Sequence, residues 1–162
     1  MVVRMGGVIK SSGPTPAIAK REWNNVRRVG GQEMAEEFHG VYLAKRFTRY
    51  GFSELNFAER TEATMKQKAR DGHQNPLVAS GVSKERALGP LRARTIAAAD
   101  NFRVEITINA PALNFHNPKS KVYPAQEVRA VSSNEERKLT NVLDRGIDGA
   151  LNKLNDNRTV TI

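Results

Sequence analysis

Residues 91–110 read LRARTIAAADNFRVEITINA, and this run decides the fold class. Phe102, Val104, Ile106, Ile108 and Ala110 fall on one side of an extended chain, with Arg103, Glu105, Thr107 and Asn109 on the other. Because successive side chains of a strand point to opposite faces, this alternation marks a strand with one buried face. Just upstream, Leu91, Ala93, Thr95, Ala97 and Ala99 alternate with Arg92, Arg94, Ile96 and Ala98, and Asp100-Asn101 separates the two runs. The pair predicts an antiparallel hairpin.

Working outward, the flanking segments carry helical period. Ala19, Trp23 and Val26 share a face, which predicts a helix from Ala17 to Val29, with Trp23 as its anchor and Gly30-Gly31 as its stop. A second helix, about Gln32 to Arg49, presents Met34, Phe38, Val41 and Tyr42 on one side and ends at Tyr50-Gly51. From Gly51 to Gly81 an ordered loop is expected, holding a short helix at Thr61 to Arg70 and turns at Asp71-Gly72 and Asn75-Pro76. After the hairpin come a long loop from Pro111 to Pro124 and a short returning strand from Gln126 to Val131. Ser132 and Ser133, each three residues before Glu135 or Glu136, are a doubled capping-box signature. They open a helix with an apolar stripe of Leu139, Val142, Leu143, Ile147, Ala150, Leu151 and Leu154. The expected fold is therefore α+β: a small antiparallel sheet with N-terminal helices and a long C-terminal amphipathic helix packed on it. Residues 1–16, with three glycines, two serines and two prolines, are read as a flexible arm, 17–154 as one domain, and 155–162 as a tail.

Composition narrows the chemistry. A chain of 162 residues is long enough to bury a core of its own, and the lack of cysteine removes disulfides, thiolate metal sites and cysteine nucleophiles together. Arg4, Gly6, Gly7 and Lys10 interrupt the N-terminal apolar residues, so neither a signal-peptide core nor a membrane span is expected. The net charge of +9 favours an acidic partner. Only residues 1–50 are clearly basic, with nine Lys/Arg against four acids, and no long run of like charge occurs.

His39, His73 and His116 stand apart with no ligand spacing, so no metal is expected. His73 as a base for Ser80 would need an orienting partner and an oxyanion site that the sequence does not signal. Neither GxxxxGK[ST] nor GxGxxG follows a strand, and no cofactor and no catalytic residue is assigned. For nucleic acid the available cations are Arg60, Lys66, Lys68 and Arg70, with Arg92 and Arg94 on one strand face. Aromatic residues are 6% of the chain and most fall on predicted core faces, which leaves little for base stacking.

An ordered set of motifs runs through this framework: Trp23 on the first helix, Arg46-Phe47, Arg60 to Lys68, Pro76-Leu77-Val78-Ala79-Ser80-Gly81, and Glu127 to Ser132 followed by Glu135 and Leu139. In that order they resemble the neck and virion-morphogenesis proteins of tailed bacteriophages, over roughly residues 17–154. Arg46 stands where that family usually has histidine, and Thr64 where tyrosine is expected. The resemblance implies a structural virion protein, not an enzyme: a head–tail connector or tail-completion ring subunit in the virion neck, assembled in the host cytoplasm. Its implied partners are itself, as a ring of on the order of six or twelve copies, the portal, adaptor or another neck protein, the tail tube or terminator protein, and DNA passing through the lumen; no membrane is implied. Assembly and docking candidates are then Arg46, Phe47, Arg60, Lys66, Lys68, Pro76, Leu77, Ser80 and Gly81, with Ser80-Gly81 a tight turn feeding the sheet. Arg60, Lys66 and Lys68 have two readings: lumen residues touching phosphates, or rim residues pairing with acids on a neighbour. A basic nucleic-acid-binding accessory protein, in packaging or at the ribosome, is the alternative from another class.

Overall fold

Backbone pairing and helix periodicity organise the chain around one long helix. The computed structural model describes residues 2–7, 17–72, 75, 77, 81–98, 101–114 and 121–156. The expected hairpin is present as β2 (Ala93–Ala98) and β3 (Asn101–Thr107), antiparallel, with Thr95 opposite Val104 and Ala98 opposite Asn101. All five apolar residues of the alternating run are buried, Val104 and Ile106 completely. A third strand, β1 (Val2–Gly7), pairs antiparallel with the free side of β3, giving the order β1-β3-β2. Residues 2–7 are thus an edge strand and not part of a flexible arm. The edge of β3 offers unpaired amides and carbonyls, and satisfying them requires a partner backbone more than a side-chain pattern.

The helix α1 (Ala17–Glu37) runs straight through Gly30-Gly31, where a stop was expected. The glycines are there for close approach on two sides. A Cβ on Gly30 would lie 2.8 Å from the carbonyl oxygen of Leu143, and one on Gly31 would lie 2.7 Å from Thr95 of β2. Each mid-helix glycine costs about 1 kcal/mol relative to alanine. Here the cost is offset by the packing that backbone contact permits. The chain continues through a π-helical turn (Phe38–Tyr42) into α2 (Leu43–Lys45). Its wider i→i+5 winding takes up an extra residue, so that Phe38, Tyr42 and Arg46, four apart, all stay buried.

Short elements cover the end of this core: α3 (Tyr50–Glu54), α4 (Glu62–Arg70) and α5 (Val82–Ala87). Thr61 caps α4 by accepting from the amide of Thr64. Beyond β3 lie a 3-10 turn (Pro111–Asn114) and α6 (Pro124–Arg129). The latter replaces the predicted strand at Gln126–Val131. Six residues are too few to separate the two periodicities, and Pro124 at the first helical turn, where its missing N–H is harmless, starts a helix. The last helix, α7 (Ser133–Asp156), packs along α1 and adds Leu139 to the core shared with Phe102, Val104 and Ile106. The architecture is α+β, as expected. At the α1–α7 crossing, glycine meets glycine: a Cβ on Gly146 would lie 2.8 Å from the Cα of Gly30.

Gly146→Ala should therefore lower the unfolding free energy by about 1–3 kcal/mol through overpacking. Gly149→Ala, one turn away with open space above it, should raise it by up to about 1 kcal/mol. Urea midpoints of the two variants check this; equal effects would contradict the crossing.

Candidate functional site

The residues singled out in sequence converge on two arginine–carboxylate pairs between α2–α4 and α6–α7. Arg46 occupies a core-facing helical position beside Phe47, both fully buried. A charge there requires a partner, since an isolated buried ion is far too costly. Its partner is Glu135, 89 residues away, in a two-pronged contact: Nη1 to Oε1 at 2.5 Å and Nη2 to Oε2 at 2.6 Å. Nη1 also donates to the Tyr42 carbonyl at 2.9 Å and Nη2 to the Ala130 carbonyl at 2.6 Å, while the guanidinium lies 5.3 Å from the Phe38 ring centre. Glu135 serves twice. Its Oε2 accepts from the Ser132 amide and its own amide donates to Ser132 Oγ, both at 3.2 Å, which is the capping box expected at the start of α7.

The second pair repeats the design one layer away. Arg60 holds Glu127 through Nη1–Oε1 at 2.7 Å and Nη2–Oε2 at 2.5 Å, with both side chains nearly enclosed. Arg60 Nη1 also donates to the Ala58 carbonyl, and the Ala58 amide donates to Glu127 Oε1 at 3.2 Å. The Phe52 ring lies 5.2 Å beneath the guanidinium. Bidentate pairs are the form in which buried charges hold geometry best; of the Arg46 donors, Nε is buried without a hydrogen-bond partner among the described residues.

Both arginines were expected as docking groups, and both have their guanidiniums committed inside the chain. Phe47 and Leu77 are likewise buried. Of Arg60, Lys66 and Lys68, grouped by nearness in sequence, Arg60 and Lys68 line one cleft while Lys66 stands apart. Two residues along a helix turn about 200°, so Lys66 points to solvent, paired with Glu62 at 2.7 Å, while Lys68 turns inward. Lys68 Nζ donates to the Asn75 carbonyl at 2.7 Å, and burial, then the Arg60 charge, lower its pKa. Gly81 has the positive φ expected of it, 83°, but the turn leads into α5 and not directly to the sheet. Leu77 adopts φ of 50°, a conformation that leucine rarely takes and that costs roughly 1–3 kcal/mol. Pro76, Ser80, His73 and His116 lie outside the described residues.

Beside the Arg60–Glu127 pair opens a cleft of about 530 Å³, with Leu77 and Leu113 as its apolar floor and Lys68, Lys121 and Thr64 at its walls. Lys121 was not singled out from sequence, where it sits in an unpatterned loop. A more open depression of about 540 Å³ lies over α7, where Glu37, Asp144 and Asp148 face Lys138 and Arg145. Its mixed charge matches no single class of ligand. Among the described residues no three His, Asp or Glu side chains gather as metal ligands, and no helix is long and apolar enough to cross a membrane. Compared with protein-family models, with curated proteins and with solved structures, the chain matches none.

Tyr42 and Tyr50 border the first pair. Burial, and then the carboxylates of Glu37 and Glu135, raise the Tyr42 phenol; burial and Glu135 raise that of Tyr50. The unfolded phenols ionise near their ordinary value of 10.0, before the folded ones do. Stability is therefore fully present below that pH and is lost as pH rises through the folded values. Tyr50→Phe should flatten this alkaline loss in urea unfolding measured from pH 8 to about pH 11; an unchanged slope would remove Tyr50 from the linkage.

Arg46→Met should cost about 3–5 kcal/mol, because it leaves Glu135 buried without its counter-charge. Adding Glu135→Gln to that variant should cost far less than the same change in the wild type. Additive losses in this double-mutant cycle would mean that the two side chains are not coupled.

Proposed function

We propose that this chain is a structural subunit of a homo-oligomeric ring at the head–tail joint of a tailed bacteriophage, at the connector or tail-completion level. One observation carries the reading. The scattered positions that resemble the neck family, Arg46-Phe47, Arg60, Glu127 and Glu135, are spatial neighbours joined as two matched pairs. A chance likeness of short degenerate motifs gives no reason for its pieces to meet. These positions act as framework, holding α6 and the start of α7 against residues 46–60.

Docking then falls to what the framework presents. The cleft beside Arg60 combines an apolar floor with two lysines, and it is bordered by Leu77 from the proline-to-glycine motif. A neighbouring subunit or neck protein that inserts an apolar segment bearing a carboxylate fits this arrangement, the charges steering approach and the floor supplying area. Lys66, exposed on the far side of α4 and paired with Glu62, lies outside this contact.

The test is quantitative mass spectrometry of gradient-purified virus particles encoded together with this chain. A low, ring-like copy number relative to the major capsid subunit is expected. Absence from intact particles would overturn the proposal.

A further inference from the structure

Helix α1 packs on the face of the sheet that carries Thr95 and Val104, and among the described residues the opposite face of the β2–β3 hairpin presents exposed side chains to solvent. Arg92 and Arg94 are exposed there, and Arg103 and Glu105 are half-buried. The register places Arg94 opposite Glu105 and Ile96 opposite Arg103, while the Thr107 amide donates to the Arg92 carbonyl at 2.8 Å and so extends the pairing by one residue. Arg92 and Arg94 are therefore about 6.8 Å apart along one strand, and Arg94 and Arg103 are diagonal neighbours at roughly 7–8 Å. Three guanidiniums stand against one carboxylate. Glu105 is in contact with Arg103 at 3.1 Å, whereas Arg92 and Arg94 have no ion-pair partner among the described residues. This is the reverse of Arg46 and Arg60, whose charges are consumed within the fold.

We infer that this open sheet face, through Arg92, Arg94 and Arg103, binds the phosphate backbone of duplex nucleic acid. A protein interface needs an apolar or aromatic anchor at its centre, and among the described residues the large apolar side chains on this face are the half-buried Ile96 and, on the edge strand β1, Val2 opposite Thr107, which lie on separate outer strands and form no central cluster. Single strands are held mainly by stacking on aromatics, and the hairpin's single aromatic residue, Phe102, is buried on the opposite face. Evenly spaced guanidiniums without an anchor or a stacking platform suit a regular array of phosphates and read no base sequence. The inference does not rest on the ring: it concerns the isolated chain, and in an assembled ring it would assign this face to the side that meets DNA.

Fluorescence anisotropy with a labelled mixed-sequence duplex of about 30 base pairs, titrated over salt, tests it. Three contacts predict a plot of log K against log salt with a slope of about −2.7. Arg92→Gln/Arg94→Gln should reduce the steepness by about 1.8 and weaken binding at least about tenfold at low salt. Both side chains are exposed, so the thermal melt should not change. Arg137→Gln/Lys138→Gln removes the same charge from exposed positions on α7 and should change binding less than about twofold. Equal losses in the two double variants, no binding by the wild type at low salt, or equally tight binding to poly-glutamate would each overturn the assignment. Duplex binding by a chain absent from virus particles would keep this inference and remove the ring; presence in particles without duplex binding would do the reverse.

Discussion

Arg46 and Glu135 are the contact on which the other elements depend. A guanidinium sealed from water can persist only where a carboxylate meets it in matched geometry. That requirement fixes the end of the long helical run from Ala17 to Lys45 against the start of α7. Because Glu135 is also the third residue of the α7 capping box, one side chain sets both where the helix begins and what it begins against. The Arg60–Glu127 pair repeats the logic for α6, and aromatic rings lie against both guanidiniums. Between these clamps, Val128 enters the core with no solvent exposure. Breaking either pair would leave a buried charge, so the segment 127–135 is held by two conditions at once.

Signals confined to one element were legible in the sequence. The β2–β3 hairpin declared itself through strict alternation, and the α7 cap through its three-residue spacing. Apart from α6, whose six residues are too short for either period to declare itself, failures arose where meaning depends on something distant. A glycine pair is a stop signal if nothing approaches it and a contact if something does; only Gly146 and Thr95, far along the chain, decide that Gly30-Gly31 is the second. The strand at residues 2–7 exists because β3 has a free edge to pair. As for the site, Arg46 carried a readable warning, a cation on the same helical face as Phe38 and Tyr42. That warning says a partner must exist without saying which. The motif order groups Arg46, Arg60, Glu127 and Glu135, which meet in space, and their burial makes Arg46 and Arg60 framework where surface docking groups were expected.

Sorting the arginines and lysines by whether the fold consumes them changes what the net charge means. Arg46 and Arg60 are cancelled by Glu135 and Glu127, so the formal +9 is carried by the other side chains. Lys68 and Lys121 face a cleft with an apolar floor, and Arg92 and Arg94 stand on an open sheet face. Among the basic residues, these two groups stand in different surroundings, one over an apolar floor and one on a strand face. In the proposed ring these would be the protein-facing and the DNA-facing sides of a subunit.

Native-state amide hydrogen exchange tests the central claim, that the two ion pairs make residues 46–60 and 127–135 one unit with the core. The amides to follow are those of Ala58, bonded to Glu127, and Glu135, bonded to Ser132. The account predicts protection matching that of the β3 amides, with opening only on global unfolding. Exchange of these two amides orders of magnitude faster than β3 would contradict it, and would make the clamped segment a loosely attached flap.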